Sequence, residues 1–383
     1  MFILKRIYGA SFIFSLALAL SAYVNSSFLS EHVGNDFVGV VYALAAFGTL
    51  ISLELLPRTI EKIGNRNTIL FLILLNIIGL ISLVGSNNFR IVTSAFILFY
   101  VSNSLIWYCL DLFIEHYSSE SKVGRIRGFY LSLTNLAWLF SPVMAGYIVN
   151  NFGFPSLYAV IAGFTTIVCV ILHFSLTKYH DKKYRRLSMS AAIKSILKRP
   201  SLSHITVINF ILQFFYAWMV VYTPLYLHEV HKIPFTTIGV MFTVMLIPFV
   251  ILQYPIGRLL DVFHHERIFL LTGILIMSGS TFIFGYSLFG GNILMLTATL
   301  FTTRVGASII EVVTESYFFK RVTDADAEII SLFRSTLPLA YLFAPLFATV
   351  FLSHYSYNGL FMTLGILILI SIFPLNHLTN SRE

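Results

Sequence analysis

Twelve apolar stretches of about twenty residues, each long enough to cross a bilayer as a helix, leave this chain little choice of fold. They run 7–29, 37–57, 68–86, 91–115, 127–149, 155–176, 203–228, 235–256, 268–288, 292–316, 329–352 and 357–376. Within hydrocarbon the backbone must satisfy its own hydrogen bonds, so each stretch reads as a helix. Composition agrees. Of 383 residues, 57% are hydrophobic and 11% charged, whereas a soluble domain carries about a quarter charged residues to face water. The fold class is an all-α membrane protein. Cys109 and Cys169 both fall inside apolar stretches, which gives no sign of a disulfide framework. Lys5-Arg6 followed by Ala17-Leu18-Ala19 also fits a cleavable leader, but the spans behind it make an uncleaved first helix the better reading.

The loops supply the orientation, because Lys and Arg concentrate on the side of synthesis. With the amino terminus inside, the inner segments hold Lys5, Arg6, Arg58, Lys62, Arg66, Lys122, Arg125, Arg127, Arg258, Arg267, Lys320, Arg321 and Arg382. The outer segments hold Arg90 and Lys232. Both termini are therefore expected in the cytoplasm, with the chain integral to the plasma (inner) membrane. This distribution accounts for a net charge of +8 without any nucleic-acid partner. The longest connection, 177–202, separates a six-span half, 1–176, from a second, 203–383. It carries Lys178, Lys182, Lys183, Arg185, Arg186, Lys194, Lys198 and Arg199 against one acid, Asp181. Met189, Ala192, Ile193, Ile196 and Leu197 follow a helical spacing. A short amphipathic helix on the anionic inner leaflet fits that pattern, and so does a solvated tether.

Sliding the halves over one another by 200 positions aligns residue types that are rare here. Glu61 meets Asp261, Asp111 meets Glu311, and Glu115 meets Glu315; Pro57-Arg58 meets Gly257-Arg258. With 17 acids in the chain, chance gives about 0.4 such acid pairs. At a slightly different offset of 203, Leu139-Phe140-Ser141-Pro142 meets Leu342-Phe343-Ala344-Pro345. Internal repeats around a shared site are how many secondary transporters are built.

Segment 57–66, Pro57-Arg58-Thr59-Ile60-Glu61-Lys62-Ile63-Gly64-Asn65-Arg66, resembles the major facilitator superfamily signature Gly-x-x-x-Asp-Arg-x-Gly-Arg-Arg, with Pro in the leading place. Gly257-Arg258-Leu259-Leu260-Asp261 with Arg267 is similar to it in the second half. The resemblance implies twelve transmembrane helices in two pseudo-symmetric six-helix bundles that work by alternating access. Sugar-carrying members pair carboxylates at the inner ends of helices four and ten with the motif arginines and so close an inner gate. Carried over, this assigns the gate to Glu115 and Glu315 with Arg58 and Arg258. Asp111, Arg127 and Arg334 lie at the same depth, and Glu61 and Asp261 are the motif acids that latch neighbouring helices. Ala137, Ser141-Pro142, Ala145 and Gly146 are similar to the family's antiporter motif in helix five. Ala340, Ala344-Pro345, Ala348 and Thr349 repeat the pattern in helix eleven, so it reads as close packing first and as an antiporter marker second.

Ionisable groups inside spans cost about 2.5–3.5 kcal/mol each at the bilayer centre, so each calls for a reason. Glu54 apart, they concentrate in the fourth span, with Asp111 and Glu115, and the tenth, with Arg304, Glu311 and Glu315. Arg304, Ser308, Glu311 and Glu315 form one stripe at helical spacing, which must face an interior or a cavity. Arg304 and Glu311 are about 10.5 Å apart in rise, too far for a direct pair. Arg304 is then available to a substrate carboxylate or phosphate, and Glu311 or Asp111 to a proton. The superfamily's fourth helix often carries Arg followed by Gly; here Ser104 stands in the fourth span, and Arg304-Val305-Gly306 carries that arrangement in the tenth. Asn25, Asn103, Trp107, Asn135, Gln213, Tyr216 and Tyr222 complete the expected cavity lining between helices one, four, seven and ten.

The sequence holds no phosphate-cradling glycine loop, nucleophile elbow or zinc-type histidine pair. ATP hydrolysis, catalysis, a cofactor and a metal are accordingly not expected. The reading is a monomeric secondary transporter with a small organic solute and protons as partners. Proton-coupled efflux leads, uptake of a sugar or organic anion follows, and a receptor that kept the fold without transport is the third reading.

Overall fold

The computed structural model describes residues 2–116, 123–176, 189–263, 265–286, 291–322 and 327–378. Among these, every regular element is a helix. α1 (Phe2–Ala22), α2 (Asn25–Val33), α3 (Asn35–Ile63), α4 (Asn65–Gly85), α5 (Phe89–His116) and α6 (Val123–Ser175) lead to the short α7 (Met189–Leu197). α8 (Pro200–Leu225) runs into a π-helical turn, Tyr226–Val230. α9 (Phe235–Phe263), α10 (Glu266–Tyr286), α11 (Ile293–Phe319), α12 (Ala327–Arg334), α13 (Thr336–Leu352), α14 (Tyr357–Leu369) and α15 (Ile372–Leu375) follow.

Among the described residues, eleven intervals are long and apolar enough to cross a membrane. One of them, Leu136–Ser175, contains two spans, because Gly153 leaves helical geometry at φ +79. The total is therefore the twelve read from the sequence, and the protein is an integral membrane protein. Gly34 and Gly64, at φ +80 and +81, make the corresponding breaks before α3 and α4. A side chain would strain the backbone at such a turn. The exteriors are apolar, with Phe71, Ile78, Phe174, Phe347 and Val350 all exposed, as lipid-facing surfaces require.

The chain forms two compact units. The first comprises Met1–Arg185 with Leu227–Val240, the second Arg186–Tyr226 with Met241–Glu383. In the first, α1 packs on α6, α4 on α5 and α6, and α3 on α5. In the second, α8 packs on α13 and α11, and α10 on α11 and α14. The repeat is visible in lengths as well as neighbours: α3 and α9 have 29 residues each, α4 and α10 have 21 each.

Leu227–Val240 joins the first unit, although a division at the central loop places it with the second half. The reason is local. Gly146 and Gly239 let two backbones approach so closely that a Cβ at 146 would strike the Phe235 carbonyl and one at 239 the Pro142 carbonyl. The small residues shared by spans five and eleven are packing residues here: Ala137, Ser141 and Ala145, and Ala340, Ala344 and Ala348, are all buried. α7 forms where the apolar spacing lies and packs against α12 and α8. Its Ile196 is buried, and Ile193 and Leu197 remain exposed.

Candidate functional site

The second unit brings the ionisable stripe of α11 against α8. Gly306 sets the depth of α11, because a Cβ there would come within 2.5 Å of the Met277 backbone nitrogen of α10. On another side of the same turn, Arg304 points towards α8 and is 2% exposed. Its Cζ lies 5.0 Å from the Phe215 ring centroid and 5.6 Å from that of Tyr216. The guanidinium Nε and Nη1 are sealed from solvent and have no hydrogen-bond partner. A cation–π contact is worth about 0.5–2 kcal/mol, whereas removing an ion from water costs several kcal/mol even after relaxation. Two rings hold the group in place without meeting its hydrogen-bonding demand.

The acids further along the stripe are committed elsewhere. Glu311 Oε2 accepts a 2.8 Å hydrogen bond from the Tyr216 hydroxyl. Glu315 takes both arms of Arg334, at 2.6 Å and 3.1 Å, and Arg334 also lies over Phe319 at 5.2 Å. Ser308 is buried and donates to the Val305 carbonyl of its own helix. Glu311 is thus a carboxylate within a span whose bonded partner is a hydroxyl, while Glu315 has a cation.

The remaining expected lining residues fare differently. Tyr222 is buried with its hydroxyl on the Pro345 carbonyl at 3.0 Å, beside Trp218 donating to the Ala344 carbonyl. Gln213 is partly buried on α8. In the first unit, Asn25 accepts from the Tyr158 hydroxyl at 2.8 Å. Asn103 accepts from Asn76 at 3.0 Å, and Asn76 also donates to Ser102. Trp107 stacks with Phe14 at 6.3 Å. Asn25 Oδ1, Asn103 Oδ1 and the Tyr222 hydroxyl are therefore engaged inside their own units. Asp111, Arg58, Glu61 and Arg258 are exposed on their helices. The side chains of Glu115, Arg127, Asn135 and Asp261 lie outside the described residues.

Three features escaped sequence reasoning. Phe215 is one; nothing distinguishes it among 37 phenylalanines until the rotation of α8 is known. Glu266 is another: it is fully buried in the first turn of α10, where a helix dipole favours an acid, with Lys320 Nζ 3.9 Å away. The third lies in the first unit, where Glu229 of the π-turn accepts from Ser30 Oγ at 3.1 Å and Asn35 Nδ2 at 2.7 Å. Beside it His228 stacks on Phe235 at 4.1 Å. The signal for the third was an acid and three neighbouring polar groups at the ends of two spans, which spacing alone does not connect.

The sequence model of the Major Facilitator Superfamily matches residues 7–239 and 224–380. Sugar efflux transporter A of Escherichia coli (strain K12) is 26% identical over 171 residues. That match covers 43% of this chain and 44% of the relative, so the chain spans less than half the length of the curated protein it matches. Among solved structures, a point mutant of the nucleoside transporter NupG superposes with a TM-score of 0.76 at 12% identity, covering 98% of both chains. A D-xylose-proton symporter gives 0.75 at 13% identity, covering 99% of this chain and 98% of the other.

Proposed function

Because the chain belongs to the Major Facilitator Superfamily of transporters, we propose that it is a secondary carrier that exports a small organic solute by alternating access, in exchange for protons. It is not an enzyme on this reading. The observation that carries the proposal is Glu311, a carboxylate in a span bonded to a tyrosine hydroxyl rather than to a cation. Such a group can accept a proton without breaking an ion pair and can pass it on when its surroundings change. Asp111, its counterpart in the repeat, is the second proton-handling group. In the second unit, Arg304 with Phe215 and Tyr216 forms a solute-recognition wall, to which Gln213 contributes; in the first unit, Trp107 is the candidate lining residue. In the second unit, the Glu315–Arg334 pair is a cytoplasmic gate element together with Arg258 and Asp261; Arg58, Glu61, Glu115 and Arg127 are the gate residues of the first unit. Both termini are cytoplasmic in a plasma membrane, which the loop charges support. The efflux direction draws on the relative that exports sugar, whose likeness is confined to part of each chain.

Reconstitution tests this directly. Proteoliposomes carrying the wild-type protein should move a member of a radiolabelled panel of sugars, nucleosides and organic acids when a pH gradient is imposed. Glu311→Gln should lose gradient-driven flux and keep solute exchange. Unchanged driven flux in Glu311→Gln would remove that residue from coupling, and the absence of any solute movement would overturn the carrier.

A further inference from the structure

We propose that Arg304 recognises an oxyanion, a carboxylate or phosphate carried by the transported solute. The inference rests on the carrier reading above and narrows the solute to an anion with a flat or apolar body. Arg304 is 2% exposed, and two of its guanidinium nitrogens, Nε and Nη1, have no acceptor. Buried N–H groups of a charged fork are costly to leave unmet. The neighbouring acids do not meet them: Glu311 is bonded by Tyr216 and Glu315 by Arg334. Acids suited to accepting from a guanidinium are therefore present on the same helix, yet none of them hydrogen-bonds Nε or Nη1 of Arg304.

The geometry also says what kind of partner is missing. Phe215 and Tyr216 engage the guanidinium through their rings, at 5.0 Å and 5.6 Å. Ring contacts of this kind form no N–H···O bonds, and guanidinium donors are suited to acceptor-rich, planar or tetrahedral oxyanions, which they bind with charge-assisted hydrogen bonds. A single neutral hydroxyl would satisfy one of the two unmet donors and leave the other without an acceptor. The same two rings offer an apolar surface beside the charge, which suits a solute with an apolar or flat portion next to its anionic group.

The test uses the purified full-length protein in detergent and reads thermal unfolding. Sodium phosphate, sulfate and benzoate serve as probes, each compared with chloride at matched ionic strength. A ligand that binds only the folded state raises the unfolding temperature with its concentration. Wild type should rise with at least one of the three oxyanions beyond the chloride control. Arg304→Met should unfold at a higher temperature than wild type without added anion, because buried guanidinium donors without acceptors are gone, and should show no oxyanion-dependent rise. Arg304→Lys should keep part of it, and Arg90→Gln, an exposed arginine elsewhere, all of it. A wild type that responds to none of the three beyond chloride, or an Arg304→Met variant that responds as wild type does, overturns the proposal. The two readings fail separately. Gradient-driven flux of neutral solutes without any oxyanion response sinks the anion site and leaves the carrier; an oxyanion response without solute flux does the reverse.

Discussion

Arg304 and Gly306 sit two positions apart on α11 and serve opposite needs, one presenting charge to α8 and the other admitting the backbone of α10. Gly306→Ala tests the second role. A Cβ there meets the Met277 nitrogen and the Gly273 carbonyl oxygen, at 2.5 Å and 2.7 Å, and backbone atoms cannot swing aside. Overpacking of this kind costs about 1–3 kcal/mol, so the variant should unfold several degrees below wild type in a thermal assay. Arg334→Gln makes the contrasting case. Its side chain is 56% exposed, and exposed ion pairs contribute about 0–1 kcal/mol. Stability should barely move, while the rate at which a cytoplasmic thiol probe reaches the adjoining helix ends should rise if the pair belongs to the gate. At this scale the sequence was informative about candidates and silent about partners. Spacing alone put Arg304, Glu311 and Glu315 on one stripe and too far apart to pair with each other. It could not indicate that Tyr216, 95 positions away, bonds Glu311, because that depends on how α8 is rotated about its axis.

Elements were more legible than contacts, and for a physical reason. A span announces itself through the hydrocarbon thickness it must match, so boundaries such as Gly153 and Gly64 fell where hydropathy lapsed. The turn after α8 was not legible in that way. There the chain passes through a π-helical turn, and Glu229 ties it to α2 and α3 through Ser30 and Asn35. Glu229→Ala should therefore speed amide hydrogen exchange across Asn25–Asn35, with little change at α10 or α14; uniform exchange in both regions would count against the tie. His231 lies in the same turn, where burial holds its imidazole below the ordinary value of 6.5. The fold thus favours the neutral ring. That stability is complete above the unfolded pKa and is lost as pH falls through the lower folded value. Replacing His231 with Gln should flatten the fall in unfolding temperature between about pH 7 and pH 5, as measured by a pH series of melts.

For the whole molecule, the repeat explains why helices of equal length recur in corresponding places and why α4 and α10 find equivalent neighbours within their own units. An all-α membrane chain of twelve spans follows from this, and the family match covers nearly its whole length. Under the proposed alternating-access function, the charged stripe of α11 meets water from both sides of the membrane in turn. Ser308 sits on that stripe between Arg304 and Glu311 and is buried. The chain has two cysteines, Cys109 and Cys169, so a background with both changed to Ala isolates a new one. Ser308→Cys in sealed vesicles of known orientation should react with a membrane-impermeant thiol reagent added from either side. Labelling from one side only, or from neither, would contradict alternating access at this stripe.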